Sequence, residues 1–385
     1  MAMPTAFLYG EHLQANNPSD DAERPLRRRL GIELIRAYGL LERPEVLSVD
    51  PPPATIDELL TVHSEAYVRA VRRYSAEPAL AAAWEGAQWG LAPGGDTPAR
   101  AGMHEAAAAV CGSSLAAARL IWEGRVVQAF CPGCGLYHAL ANRAAGFCVY
   151  NDCAMAIRAL LTAGAERVAF VDVDAHHGDG VQWIFYEDPR VLTCSVHESG
   201  RYLFPGTGDL GERGTGPGLG TTVNVPLPPF AGDEPYLRAI EEVIGPAIRR
   251  FRPDVLVTQH GADPHHADPL AHLQVSMEGL ARAYRALRDI AFDATGGRWL
   301  VLSGGGYNLD LLARSWTLQL ATMLDVTLDE ALPPAWLASA REQTGRDLTA
   351  RLLDDAEPEV DADRRARADV EAHRLIDRAR ALVSC

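Results

Sequence analysis

The sequence predicts an α/β protein: a single-domain, three-layer α/β/α arrangement around a mostly parallel sheet. Two observations carry this. From residue 126 onward, short apolar runs of strand length alternate with segments of helical period, the rhythm of successive β-α units. Reactive polar groups also stand directly after several of those runs, where the carboxyl ends of parallel strands collect ligands. No internal repeat and no break in composition marks a second domain. With 48% hydrophobic residues in a chain of 385, a sizeable core is available.

Residues 23–41 read as an amphipathic helix, with Leu26, Leu30, Leu34, Ala37, Tyr38 and Leu41 at helical spacing. Pro51-Pro52-Pro53 is a rigid spacer. Thr55-Ile-Asp-Glu58 is a capping box that opens a helix continuing through Val62, Tyr67 and Val71. Residues 92–98 form a Pro/Gly loop. Residues 102–122 make an Ala-rich helix whose small side chains suit close packing on a sheet. Strands are expected at 126–130, 167–175, 191–197, 223–227, 255–259 and 299–302. Helices are expected at 152–163, from 181, and at 235–251, 276–292 and 309–324. Residues 354–381 read as a loop and a charged helix with a narrow apolar side of Val370, Ile376, Ala379 and Val383, either solvated or a modest interface.

The formal charge of −15 excludes a nucleic-acid backbone as the main partner and suits a cationic peptide or polyamine. No stretch is apolar enough to span a bilayer, and residues 1–10 lack the layout of a signal peptide. A soluble cytoplasmic protein with no membrane partner is expected, and seven cysteines, an odd number, fit reduced thiols. Cys131-Pro132-Gly133-Cys134 has redox Cys-x-x-Cys spacing, but Gly135 and a histidine-bearing segment follow it where thioredoxin-like motifs open a helix. A tight loop of reduced cysteines is the preferred reading, and redox chemistry the alternative.

The chemistry concentrates in Val171-Asp172-Val173-Asp174-Ala175-His176-His177-Gly178-Asp179-Gly180, which follows an apolar run. Strict alternation puts Asp172, Asp174 and His176 on one side of the expected strand. Two carboxylates and an imidazole on a buried side need compensation, which a divalent cation supplies. The alternative is a solvated edge strand with a plain Gly-Asp-Gly turn, against which the apolar approach argues. Three more polar segments follow strands: residues 133–138 ending in His138, residues 259–263 ending in Asp263, and Ser303-Gly304-Gly305-Gly306-Tyr307-Asn308. No helix-opening G-x-G-x-x-G and no P-loop Lys accompanies the Gly triplet.

Taken in order, Tyr137-His138, Gly146-Phe147-Cys148, residues 172–180, Phe204-Pro-Gly-Thr-Gly-Asp209, Gly261-Ala-Asp263 and Gly304-Gly-Gly-Tyr307 resemble the zinc-dependent histone deacetylase superfamily. Val62-His63-Ser64, Gly95-Asp-Thr-Pro98 and Asp268-Pro-Leu-Ala-His-Leu273 look most like its bacterial acetoin-utilisation branch. The resemblance implies the arginase-deacetylase fold, with residues 1–350 as the catalytic domain and 351–385 as a charged helical extension packed on it. It implies an enzyme, a hydrolase of linear amides that removes acetyl groups from protein lysine side chains through a metal-activated water. The alternatives are an acetylpolyamine or other small-molecule deacetylase, and a catalytically weak acyl-lysine binder.

By the same resemblance Asp174, His176 and Asp263 hold Zn²⁺, with Fe²⁺ the alternative occupant of such a donor set. A structural K⁺ is expected around Asp172, Asp174, His176, Ser195 and Val196. His138 corresponds to the general base and acid, Asp179 to its orienting carboxylate, and Tyr307 to the phenol that donates to the oxyanion. Phe147 and Phe204 correspond to the walls of a narrow tunnel; Gly146, Leu270 and Gly305 line the substrate path, and Asp96 stands at the rim to hold a peptide backbone. One position departs from the pattern: Tyr137 replaces the first of two adjacent histidines, and it faces Asp172. A phenol does not replace an imidazole at neutral pH, so hydrolysis with an altered pH dependence is expected. His177, His197, His260, His265, His266 and His272 are read as packing, with substrate contact the alternative for His265 and His266. A two-manganese site would need an Asp where His265 stands, so one catalytic metal is expected.

Overall fold

The computed structural model describes residues 4–10, 24–354 and 360–384. Met1 to Met3, Glu23 at the start of the first expected helix, and residues 355–359 of the acidic segment lie outside the described residues. Eight strands form one sheet: β1 (Thr5–Leu8), β2 (Val46–Val49), β3 (Gln128–Pro132), β4 (Val168–Asp172), β5 (Val191–Glu198), β6 (Thr222–Leu227), β7 (Val255–Gln259) and β8 (Trp299–Ser303). Their order is β2-β1-β3-β8-β7-β4-β5-β6. Every neighbouring pair is parallel, so the sheet is fully parallel where the sequence predicts a mostly parallel one.

Period-two alternation divides the strand residues between two cores. Ala6, Leu8, Val168, Phe170, Leu300 and Leu302 face one layer, which contains the helices Met103–Trp122 and Asp152–Thr162. Phe7, Ala169, Val171, Trp299 and Val301 face the other, with Met277–Thr295 and Leu309–Leu324. Both faces are thus covered, which is why the central strands read as continuous apolar runs. Small residues let the Ala-rich helix approach closely: a Cβ on Gly112 would lie 2.0 Å from the Pro52 carbonyl oxygen.

Four local expectations need correction. The capping box at Thr55 and Glu58 is present, but its helix covers only Ile56–Leu59. A second helix, Glu65–Ala76, starts where the Ser64 side chain accepts the Tyr67 N–H and breaks the run. The stretch expected as one helix at 235–251 comprises Asp233–Arg238, a π segment Ala239–Ile244 and Gly245–Phe251; Pro246 has no N–H to carry α-helical bonding through. In the terminal helix Ala362–Ser384 the buried stripe is Ala368, Ala372, Ile376 and Ala379, while Val370 is exposed. That helix packs along β6, the strand at one end of the sheet, and shields it from edge pairing. The fourth correction, at the end of β4, belongs to the site.

β3, β8, β7 and β4 are consecutive in the sheet. The loops after their carboxyl ends therefore open side by side, and they carry His138, Tyr307, Asp263 and the Asp174–His176 pair.

Candidate metal centre and active site

β4 ends at Asp172, short of the strand to residue 175 that the alternation predicts. The Val173 N–H still donates to Gln259 O (3.1 Å), and beyond it side chains replace the ladder. Asp172 Oδ1 accepts the Asp174 N–H (3.0 Å), Asp174 Oδ1 accepts the His176 N–H (2.8 Å), and Asp263 Oδ1 accepts the Ala175 N–H (3.0 Å). The turn is built by the carboxylates themselves.

Asp174, His176 and Asp263 are buried, and a donor atom from each lies within 4.8 Å of the other two. His176 Nδ1 is 2.9 Å from Asp174 Oδ1 and 3.3 Å from Asp263 Oδ2. Two glycines make the floor. A Cβ on Gly261 would lie 2.2 Å from Asp174 Oδ2 and 2.4 Å from Asp263 Oδ1, and one on Gly305 2.2 Å from Asp174 Oδ2. Burial, and then the charge of Asp174, push the Asp263 carboxyl up to about 8. The same two causes, in the same order, hold Asp172 well above the carboxylate range. Burial opposes the charged form of His176, but its hydrogen bond to Asp174 and the nearby Asp263 carboxylate outweigh this and favour the imidazolium. Asp172 Oδ2 and Asp263 Oδ2 accept no hydrogen bond among the described residues. Convergent O, O and N donors with uncompensated negative charge fit a divalent cation, Zn²⁺ and Fe²⁺ alike.

A cleft of about 260 Å³ reaches this cluster and is lined by His138, Phe147, Asp174, His176, Gly305 and Tyr307 among others. His138, 7% exposed, pairs through Nδ1 with Asp179 Oδ1 at 2.6 Å. Gly146 packs under that ring, since a Cβ there would come 2.3 Å from His138 Cδ2. Tyr307 is half-buried, and its N–H donates to Asp268 Oδ2 (2.7 Å). At the mouth Phe204 lies edge-on to His138, with centroids 5.1 Å apart, and Phe147 edge-on to Tyr307 at 6.0 Å. Phe147, Phe204 and Leu270 are all exposed; Phe147 lines the cleft and Phe204 touches His138, whereas Leu270 is not among the lining residues. Asp96 is at the rim, yet its Oδ2 accepts the Gly146 N–H (2.9 Å) and its Oδ1 the Thr97 hydroxyl (3.0 Å). In this conformation the carboxylate holds the protein's own loop.

Tyr137 is buried beside His138, with ring centroids 4.2 Å apart, and its hydroxyl donates to the His176 carbonyl (3.3 Å). Burial first, and the charge of Asp172 next, raise this phenol well above its ordinary value, so it is a neutral donor. Asp172 and Ser195 face each other in register on β4 and β5, and Ser195 Oγ pairs with His197 Nδ1 (2.8 Å). His177 pairs with Thr207 and Gln182, His272 with Glu198, and His260 stacks on Tyr284. Cys131 and Cys134 are fully buried, and burial drives the Cys131 thiol well above its usual range. That environment opposes the thiolate a redox motif requires.

Several residues at the site escape sequence reasoning. Asn151 Nδ2 donates to Tyr137 O (2.6 Å) and Ala139 O (2.9 Å), while Asp152 accepts the Gly135 and Leu136 N–H groups (2.9 and 2.6 Å). Together they clamp the segment that presents His138. Their signal is the helix start, for the Asn151 side chain also accepts the Ala154 N–H as an N-cap. Asp268 holds Tyr307, and Gln259 donates to Gly304 O (2.8 Å). Arg27 and Arg28 are buried and line the cleft, where Arg28 Nη2 reaches Gly133 O (3.2 Å). They read as a polar helix side, and only tertiary packing buries them.

Residues 21–323 match the histone deacetylase domain family. The chain is 40% identical to the acetoin utilization protein AcuC of Bacillus subtilis (strain 168) over 296 residues, which is 77% of this chain and 76% of that protein. It is 35% identical to AcuC of Staphylococcus xylosus over 368 residues, 95% of this chain and 94% of that one. AcuC of Staphylococcus aureus (strain MSSA476) is 34% identical over 353 residues, 91% of this chain and 90% of that protein.

Proposed function

The chain belongs to the histone deacetylase family, and from that premise we propose that it is a metal-dependent amidohydrolase that removes acetyl and related acyl groups from lysine side chains of cytoplasmic proteins. One observation carries the reading: a buried O, O, N donor set, a His–Asp pair and a tyrosine converge on a single narrow cleft. Asp174, His176 and Asp263 would hold a Zn²⁺ or Fe²⁺, which when bound would supply Lewis acidity toward the amide carbonyl and water. His138 does the proton work. Its Nδ1 is committed to Asp179, so Nε2 takes the proton of the attacking water and returns it to the departing lysine amine. Tyr307 donates to the carbonyl oxygen as negative charge develops on it. Phe147 and Phe204 flank the aliphatic chain and exclude water around it. Arg27 and Arg28 give a carboxylate product a cationic neighbour in the cleft. Tyr137 serves as a hydrogen-bond donor rather than a base, which leaves one imidazole to act as base and acid in turn. The unsatisfied Asp172 Oδ2 supports a K⁺ beside the first ion.

The exposed mouth, with Phe147 at 45% and Phe204 at 42%, favours a peptide over a free acetylpolyamine. The test is turnover of acetyl-lysine peptides and of acetylated polyamines by the purified protein, with and without a chelator. Peptide hydrolysis that disappears on chelation and returns with metal is expected. Turnover of polyamines alone would transfer the assignment to a small-molecule deacetylase. Turnover of neither would make the protein a binder.

A further inference from the structure

His265, two residues after Asp263, is 1% exposed. Its Nδ1 accepts the Ala267 N–H (3.0 Å), so the ring proton sits on Nε2, which donates to Asp354 Oδ2 (2.9 Å). The same oxygen accepts the Met277 N–H (2.6 Å), and Oδ1 accepts Arg314 Nη1 (3.0 Å). Arg314, 2% exposed, also binds Asp310 (2.9 Å). His265, His266 and Asp354 converge as metal ligands can. Yet both His265 nitrogens and both Asp354 oxygens already have partners, so these two form a hydrogen-bonded pair rather than open ligands, while His266 Nε2, 3.9 Å from Asp354 Oδ2, takes no part in it.

The pair supports the metal centre from behind. The His265 N–H donates to Ala262 O (3.3 Å), and its carbonyl accepts the Asp268 N–H (2.9 Å). Asp268 in turn accepts the N–H groups of Tyr307 (2.7 Å) and Leu270 (2.9 Å). One loop therefore carries a ligand and the support of the phenol's backbone, and its partly buried anchor, Asp354, comes from a distant part of the chain. We propose that Asp354 is a positioning residue for the metal centre, fixing Asp263 through His265 and the Tyr307 backbone through Asp268. Asp354 lies outside residues 21–323, which match the family domain; the C-terminal segment completes a site whose reacting groups stand elsewhere.

This rests on Asp174, His176 and Asp263 binding a metal, and the test separates the two claims. In Asp354→Asn the amide carries one acceptor and one donor face, so either His265 Nε2–H or Arg314 meets another donor. His265→Asn keeps an acceptor for Ala267 but cannot reach Asp354, and it carries the test should Asp354→Asn not fold. The probe is Co²⁺ with the full-length protein, read as equilibrium affinity, release to a chelator and visible absorption. Both variants are expected to bind Co²⁺ about 10-fold more weakly or worse, with a changed spectrum. Asp354→Glu recovers part of the loss, and the double variant is no weaker than either single one. Co²⁺ binding within about twofold of the parent in both variants, with an unchanged spectrum, overturns the proposal. If the parent shows no Co²⁺ spectrum sensitive to Asp174→Ala, the metal reading itself fails.

Discussion

Replacing Gly305 with alanine puts a methyl group where the candidate metal centre has no room for it. The new Cβ would stand 2.2 Å from Asp174 Oδ2 and 3.2 Å from Asp263 Oδ2, whereas ordinary contact begins at 3.4 Å. Relief requires about 1.2 Å of relative movement between the Gly-rich turn and a metal ligand. Gly305 also sits at φ +92°, where a side chain costs about 1–3 kcal/mol. A misplacement of about 1 Å at a reacting centre costs on the order of 10²-fold in rate, and disturbed ligand support about 10–100-fold in metal affinity. Gly345 provides the control: it has φ +67° and nothing within 4 Å of its built Cβ, so Gly345→Ala strains the backbone without touching the site. Hydrolysis of an acetyl-lysine peptide and Co²⁺ titration are measured for both variants, with thermal melts to confirm folding. Gly305→Ala is expected to lose about 10²-fold in kcat/KM while Gly345→Ala stays near the parent. Parent-like activity and affinity in Gly305→Ala, or an equal loss in both variants, refutes the cradle.

His138→Ala should lower kcat by about 10²–10⁴ while Co²⁺ still binds; activity equal to the parent's removes His138 as the base. Tyr307→Phe should lower kcat by about 10²–10³ with KM little changed, and a rise in KM alone would make the phenol a binding group only. Tyr137→His exchanges a phenol held far above neutral pH for an imidazole, so the pH–rate profile should gain an ionisation between about pH 5 and 8; superimposable profiles contradict the role given to this position. Asp172, Asp263 and His176 all hold their protons more tightly in the metal-free fold than in the unfolded chain. The folded state therefore carries the extra protons, and the stability they confer is lost as pH rises, for Asp263 between its ordinary 3.8 and about 8. Melting of chelator-stripped protein should fall from about pH 5 to about pH 8 by a few degrees, at up to about 1.4 kcal/mol per proton per pH unit. Added metal should restore more at the upper end. A flat or rising apo profile argues against the burial and carboxylate repulsion that hold these protons.

The architecture is legible because most strands are buried on both faces and so appear as bare apolar runs. β1 and β2 escape because each has only four residues; β1 is fully buried but too short to stand out, and β2 is half-exposed at one end of the sheet. Long helices such as Leu309–Leu324 announce themselves by period. Pro334–Thr344 escapes because only Trp336 and Ala340 of its eleven residues are buried, too few to set up a stripe. At the site, residues that need special chemistry are visible in sequence, whereas those that position them, Asn151, Asp152, Asp268 and Arg28, look like ordinary caps and helix-surface charges. Their roles depend on partners far along the chain, as in the bond between Arg28 and Gly133, which no local pattern records.

The alternation at Asp172, Asp174 and His176 has a second origin that sequence alone does not separate from a strand. A carboxylate that accepts an N–H two residues on builds a turn with the same spacing of two, and both such bonds occur here. The pattern selects the right side chains even though the backbone has left the sheet. The turn chemistry also divides the labour of each carboxylate. Asp172, Asp174 and Asp263 each commit Oδ1 to a backbone N–H. The Oδ2 atoms of Asp172 and Asp263 accept nothing from the described residues, and that of Asp174 lies against the Gly261–Gly305 floor. The oxygens that shape the loop are therefore largely not the oxygens left for an ion. An isosteric Asp263→Asn should then preserve the loop, since its carbonyl can still accept the Ala175 N–H, while weakening Co²⁺ binding severely. Loss of folding instead would mean that the charge of Asp263, and not its acceptor, holds the turn.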